Sequence, residues 1–226
     1  VGPEFRINSY TTDNQGHSSV AAAADGGFVV TWESRQDGSS DGVFGRRYDS
    51  NGGPVGPEFR VNSYTPFTQF RPSVAAAPDG RFVVAWGSSY QDGSSYGVFG
   101  QRYDSNSSPV GPEFRVNSHT TSDQWNPSVA AAADGRFVVI WASLIQDGSG
   151  WGVFGQRYDA NGTAVGPEFG VNSYTMNNQE IPSVAAAPDG RFVVTWASYT
   201  QDGSGDGVFG RRFHLDVIFA DGFQGG

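Results

Sequence analysis

The chain repeats itself. VGPEFRIN begins at Val1, VGPEFRVN at Val55 and again at Val110, and VGPEFGVN at Val165, at spacings of 54, 55 and 55 residues. The stretches between them repeat as well. An Asp-Gly pair recurs at Asp25, Asp79, Asp134 and Asp189, and a Trp follows each Asp by seven residues (Trp32, Trp86, Trp141, Trp196). QDG-S-x-x-GVFG recurs from Gln36, Gln91, Gln146 and Gln201. A single unit of this size cannot bury its own apolar face, so the copies must pack on one another.

Each unit reads as four strands. The first is SVAAA, and an Asp-Gly turn leads from it into RFVVxWxS, a hairpin signal. In the second copy Phe82, Val84 and Trp86 point one way while Val83 and Ala85 point the other. Both faces are apolar, so this strand is expected between two packed layers, with the Trp in the core. GVFGxRYD is the third strand and VGPEFRVN the fourth. In the fourth, Val110, Pro112, Phe114 and Val116 are expected to face inward and Glu113 and Arg115 outward. Its proline suits an edge, because Pro has no N–H to give to a ladder. The repeated Arg47, Arg102, Arg157 and Arg212 are expected to pair with Glu4, Glu58, Glu113 and Glu168.

No segment shows a helical period. About 55 residues with four antiparallel strands fit one blade of a propeller. The expected fold is all-β, a four-bladed β-propeller of four-stranded antiparallel blades. The fourth unit lacks its last strand after residue 214, and that strand stands at the other end of the chain. Residues 1–8 are therefore expected to close the last blade, formed by 183–214, leaving 215–226 as a tail. The alanines of the first strands fit a narrow axis. A single domain over 1–214 follows.

Composition removes several classes. With Cys 0, a disulfide scaffold, a thiol enzyme and a Cys-based zinc site are excluded. A formal net charge of -9 repels nucleic acid and anionic lipid. No apolar run approaches the ~20 residues that cross a bilayer, so no membrane insertion is expected.

The long connections, NSYT…Q after the fourth strand and QDG after the second, share one face of the disc, and function concentrates on such loops. A glycan surface is expected there, since sugar rings stack on aromatic faces and bond to amides and carboxylates. The candidate ligand-binding residues are Tyr10, Tyr64, Phe67, Phe70, Gln69, Gln124, Trp125, Tyr174, Gln179, Tyr96, Trp151 and Tyr199. Phe67, Phe70, Trp125 and Trp151 break the repeat, so symmetry alone does not explain them. Two QDG loops, with Asp37, Ser39 and Asp41 and with Asp202, Ser204 and Asp206, read D-x-S-x-D-G. That is the opening half of a calcium loop, and equally a Gly-rich turn in which Asp binds local N–H groups. Catalysis is not expected. It needs unlike groups at one centre, whereas the polar groups here recur as like sets. The three histidines, His17, His119 and His214, stand at non-equivalent places. Glu33 and Glu180 are the odd carboxylates, and a glycosidase would need two.

The motifs PSVAAxxDGxFVVxW, QDGSGxGVFGQRYD and PVGPEFxVN resemble tandem repeats of secreted bacterial proteins. The likeness covers residues 1 to 212 and implies β-propeller blades and an extracellular or cell-surface setting, with no catalytic residue carried over. A removed leader would explain why Val1 opens directly on a strand. The leading expectation is a secreted, non-enzymatic module for glycans or cell-surface polymers. The alternatives are a protein that assembles with copies of itself into fibres, by strand donation or tail docking, and a glycosidase-type enzyme.

Overall fold

The computed structural model describes residues 2–36, 38 and 40–214. The expected tail, 215–226, lies outside them, as do Asp37 and Ser39. The described residues form four antiparallel sheets, one per repeat. The first contains β1 (Gln15–Ala22), β2 (Phe28–Ser34), β3 (Gly42–Tyr48) and β4 (Phe59–Arg60). The second contains β5 (Gln69–Ala76), β6 (Phe82–Ser89), β7 (Tyr96–Tyr103) and β8 (Phe114–Arg115). The third contains β9 (Gln124–Ala131), β10 (Phe137–Leu144), β11 (Trp151–Tyr158) and β12 (Ala164–Gly170). The fourth has three strands, β13 (Gln179–Ala186), β14 (Arg191–Tyr199) and β15 (Asp206–His214). Strands follow one another in chain order across each sheet, the meander of a propeller blade.

In the first three repeats the second strand is the buried one, as its two apolar faces require, while β14 of the fourth buries one face and exposes the other. Every residue of β6 is buried, and Trp32, Trp86, Trp141 and Trp196 are all core residues. Successive sheets pack face to face through them. Val138, Ile140 and Val153 of the third sheet meet Phe192, Val194 and Trp196 of the fourth. The innermost strands converge on an axis. Ala22, Ala76, Ala131 and Ala186 line a cavity of about 260 Å³ there, with Pro78 and Pro188. Polar clamps tie the inner strands together. The backbone N–H of Val74 donates to Ser19 at 3.2 Å, that of Val129 to Ser73 at 3.1 Å, and that of Val184 to Ser128 at 3.1 Å.

The fourth strand is shorter than its alternating pattern predicts. Only Phe59–Arg60 and Phe114–Arg115 form strands in the first two sheets. Gly56 and Gly111 precede them with φ of 91° and 75°, whereas in the third sheet the seven-residue β12 carries the same left-handed glycine, Gly166 at 71°, within it. Val110 and Pro112 are exposed rather than inward-facing. The expected Arg–Glu pairing is replaced as well. Glu113 accepts from the Ser63 N–H at 2.7 Å and from the Gln91 amide, and Glu168 accepts from the Ser118 N–H at 2.7 Å and from Gln146. The Arg157 guanidinium instead lies 4.1 Å over the Phe169 ring.

The expected closure is also corrected. Residues 2–8 form no strand and pair with no part of β15. They lie against the first blade, where Phe5 packs on Tyr48 at 5.8 Å and the Tyr48 hydroxyl donates to the Ile7 carbonyl at 2.6 Å. Phe59 and Phe114 hold the same relation to Tyr103 and Tyr158. The difference is that those two also cover a glycine of the preceding sheet. Among the described residues the junction between the fourth and first blades therefore stays open. Val208 is 85% exposed where its counterparts Val43, Val98 and Val153 are 0%. Val20, on the other lip, is 64% exposed where Val74 is 6%.

Candidate functional site

The mouth of the axis on the long-loop face is built from a repeated irregularity. In each inner strand the pairing to the next strand skips after its second residue, between Gly16 and Ser19, Phe70 and Ser73, and Glu180 and Ser183, with the matching skip opposite Trp125 in the third. The third residue of the strand carries a positive φ in every blade: His17 48°, Arg71 50°, Asn126 52° and Ile181 53°. Side chains rarely adopt this conformation, least of all a β-branched one, and such outliers gather at functional sites. A bulge of this kind re-aims the side chain it carries. The four residues are chemically unlike although their positions are equivalent.

Three of them form one hydrogen-bonded chain with Glu33, which follows the core Trp32 on β2. The His17 Nδ1 lies 2.9 Å from Glu33 Oε2. The other oxygen, Oε1, accepts from the backbone N–H of Arg71 in the next blade. Arg71 Nη1 donates to Asn126 Oδ1 at 2.5 Å, reaching the third blade. Its guanidinium stands 5.1 Å from the Trp125 ring, within the range of a cation–π contact. The Glu33 side chain is only 13% exposed while His17 is 56% exposed, so the carboxylate sits behind the imidazole.

Aromatic pairs continue the rim. Trp125 and Trp151 lie 5.1 Å apart in the third blade, and Phe70 and Tyr96 are 5.1 Å apart, edge to face, in the second. The same two positions hold Gly16 and Asp41 in the first blade and Glu180 and Asp206 in the fourth. One half of the rim is thus aromatic and the other acidic. Phe67, 56% exposed, packs on Tyr90 at 5.1 Å, and Tyr199 is 48% exposed in the fourth blade.

Other expected residues serve the loops instead. Gln69, Gln124 and Gln179 are fully buried, so they are not available to a ligand. The Gln124 Oε1 accepts from Asn117 at 3.1 Å and its Nε2 donates to the Thr121 carbonyl at 2.9 Å, and Gln69 and Gln179 do the same with Asn62 and Asn172. Tyr10, Tyr64 and Tyr174 are half-buried, and the carbonyl of each accepts from the neighbouring Asn amide. The QDG aspartates act as turn caps. Asp92 accepts from the Ser94 N–H at 3.1 Å and the Asn117 amide at 3.2 Å, and Asp202 accepts from the Ser204 N–H at 3.4 Å. Asp41 is held by Arg35 at 2.9 Å, and Asp206 is exposed. Among the described residues no three His, Asp or Glu side chains gather as a metal centre.

Sequence reading missed His17, Arg71 and Asn126. The signal was present, since their column is one of the few that vary in kind between otherwise similar repeats.

No family model matches the chain, and no curated protein does. Solved structures share its fold. The α-L-arabinofuranosidase from Lactobacillus brevis matches at 13% identity over 92% of this chain and 70% of that one, with a TM-score of 0.56. A Hadza microbial sialidase matches at 12% identity over 89% of this chain and 44% of its own, with a TM-score of 0.57. The Penicillium chrysogenum α-L-arabinanase complexed with arabinobiose matches at 15% identity over 84% and 55%, with a TM-score of 0.54. The chain thus spans about half the length of the last two. At these identities the likeness carries the fold, a β-propeller.

The expectation of a non-enzymatic binding module is corrected on two counts. The solved chains that share the fold are glycoside-cleaving enzymes by name. The argument against catalysis, that only like groups recur, also fails at the axis, where an acid, an imidazole, a guanidinium and an amide meet.

Proposed function

We propose that the chain is a glycosidase-type enzyme whose substrate lies across the axial mouth on the long-loop face. The observation that carries this is Glu33, a half-buried carboxylate bonded to His17 on one oxygen and to the Arg71 N–H on the other. A carboxylate held this way, beside an imidazole that can carry a proton, suits acid–base work on a glycosidic oxygen. The second carboxylate such cleavage requires is Glu180, which stands on β13 where the second and third blades carry Phe70 and Trp125. The aromatic half of the rim gives the sugar rings their platforms. The fold shared with glycoside-cleaving enzymes supports this reading. An extracellular setting, which the repeat resemblance implies, is where polymeric glycans are met.

The test is release of reducing ends from a panel of arabinan, sialylated and uronate-containing glycans. Glu33→Gln is expected to lower kcat by about 10²–10⁴-fold with an unchanged melting curve. Activity retained in Glu33→Gln, or no release from any glycan by the unaltered protein, would refute the proposal.

A further inference from the structure

The rim holds a cation with no partner of opposite charge among the described residues. Among the described residues no carboxylate lies within ion-pair distance of the Arg71 guanidinium, and all its polar contacts are accounted for by the Asn126 carbonyl oxygen and the backbone bond to Glu33. Some exposed arginines are paired, Arg35 with Asp41, Arg81 with Asp79 and Arg191 with Asp189, while Arg6, Arg60 and Arg115 are exposed with no ion pair among the described residues. Arg71 is instead fixed by neutral groups, with the Trp125 ring at 5.1 Å and the Asn126 amide at 2.5 Å. Both hold the guanidinium in place without neutralising it. Its Nε and Nη2 donors have no acceptor among the described residues, and neither is enclosed.

A planar guanidinium with two free donors, restrained in advance, matches a carboxylate in bidentate geometry. We infer that Arg71 recognises the carboxylate of an acidic sugar, so that the substrate class is a glycan bearing uronate- or sialate-type residues. This rests on the axial mouth being the glycan site. The Trp125 face beside Arg71 would take the apolar side of the same sugar ring, which places the acid group and the stacking surface on one residue of the glycan. The acidic half of the rim, with Asp41, Glu180 and Asp206, repels such a ring and so fixes which way the chain lies.

Binding, measured by calorimetry apart from cleavage, tests this. De-esterified oligogalacturonate is compared with its methyl ester, sialyllactose with lactose, and dextran sulfate with dextran. At least one carboxylate glycan is expected to bind about tenfold or more tightly than its neutral counterpart. Arg71→Gln, which keeps an amide donor for Asn126, should abolish that gap, while Arg71→Lys keeps part of it, and the melting curves of both should match the unaltered protein. Equal binding of acid and neutral forms, or a gap that survives Arg71→Gln, overturns the inference. So does a preference confined to dextran sulfate, since the anion recognised is then not a carboxylate. Cleavage without acid preference leaves the hydrolase reading standing and sinks this one. Acid preference without cleavage does the reverse.

Discussion

The open junction can be probed at one atom. Three glycines on the third strands, Gly45, Gly100 and Gly155, each lie under a phenylalanine ring of the fourth strand. A Cβ at Gly100 would sit 2.7 Å from the Phe114 Cζ, well inside ordinary contact. Phe114 cannot simply withdraw, because its ring packs on Tyr158 at 5.4 Å and Phe137 at 6.5 Å in the next blade. Gly100→Ala therefore overpacks a blade junction and should cost about 1–3 kcal/mol. For a chain of this length each kcal/mol lowers Tm by roughly 2–4 °C. Gly210 is the equivalent residue of the fourth blade, and among the described residues no ring covers it. The nearest atoms to its Cβ are the Val194 carbonyl oxygen at 3.3 Å and Thr195 Cγ2 at 3.4 Å. Gly210→Ala meets only that slightly close carbonyl, which the entropy gained over glycine offsets, so its cost should stay below about 1 kcal/mol and well under that of Gly100→Ala. Thermal unfolding of the two variants decides between an open and a closed ring. A loss at Gly210 as large as that at Gly100 would mean that Phe5 is seated there. A double variant with Phe5→Ala would then relieve it.

Two further predictions concern stability. Burial pushes the phenols of Tyr103 and Tyr158 far above the usual tyrosine range, with the carboxylates of Glu113 and Glu168 adding to the shift. The unfolded chain gives up these protons near pH 10 and the folded one does not, so their contribution is complete below about pH 10 and falls as pH rises beyond it. In urea titrations from pH 8 to 11.5, the phenolate absorbance of these two should appear only with unfolding; if all nine tyrosines ionise in the folded protein, the packing described here is wrong. Gln124→Ala should destabilise by about 1–3 kcal/mol, because it empties a fully buried side-chain site and removes the bonds to Asn117 and the Thr121 carbonyl, although the Asn117 amide keeps the His119 carbonyl and Asp92 as acceptors. The same change should leave glycan affinity unaltered, and a specific loss of affinity without loss of stability would return Gln124 to the binding surface.

Much of the fold was legible because the repeat made each inference four times over. The buried second strand, the core tryptophans and the alanine-lined axis follow from alternation and side-chain size, which are local properties. The ends of the ring are not local. Closure depends on how far each blade turns from the last, and that angle is the sum of many contacts, none written as a motif. The GPEF segments show the limit. Phe59, Phe114 and Phe169 each cover a glycine of one blade while touching the next, whereas Phe5, in an identical motif, makes only the second contact. The same residues pack differently because the neighbour differs.

The site was hidden by the same regularity that revealed the fold. Recurring residues attract attention, yet in a repeat protein recurrence marks what every blade needs for its own structure. The buried glutamines and the QDG aspartates recur because each blade must hold its loops, and their side chains are spent on nearby backbone and amide groups. Chemistry at a shared axis requires the opposite, unlike groups brought to one place by equivalent positions. The bulge supplies that place, since it turns the same inner-strand residue in every blade at the cost of a left-handed φ. His17, Arg71, Asn126 and Ile181 then differ because the backbone has already fixed where they stand, leaving side-chain identity free to follow the ligand. On the proposed reading, columns that break the repeat are where a substrate would be read, and the columns that keep it hold the blades in place.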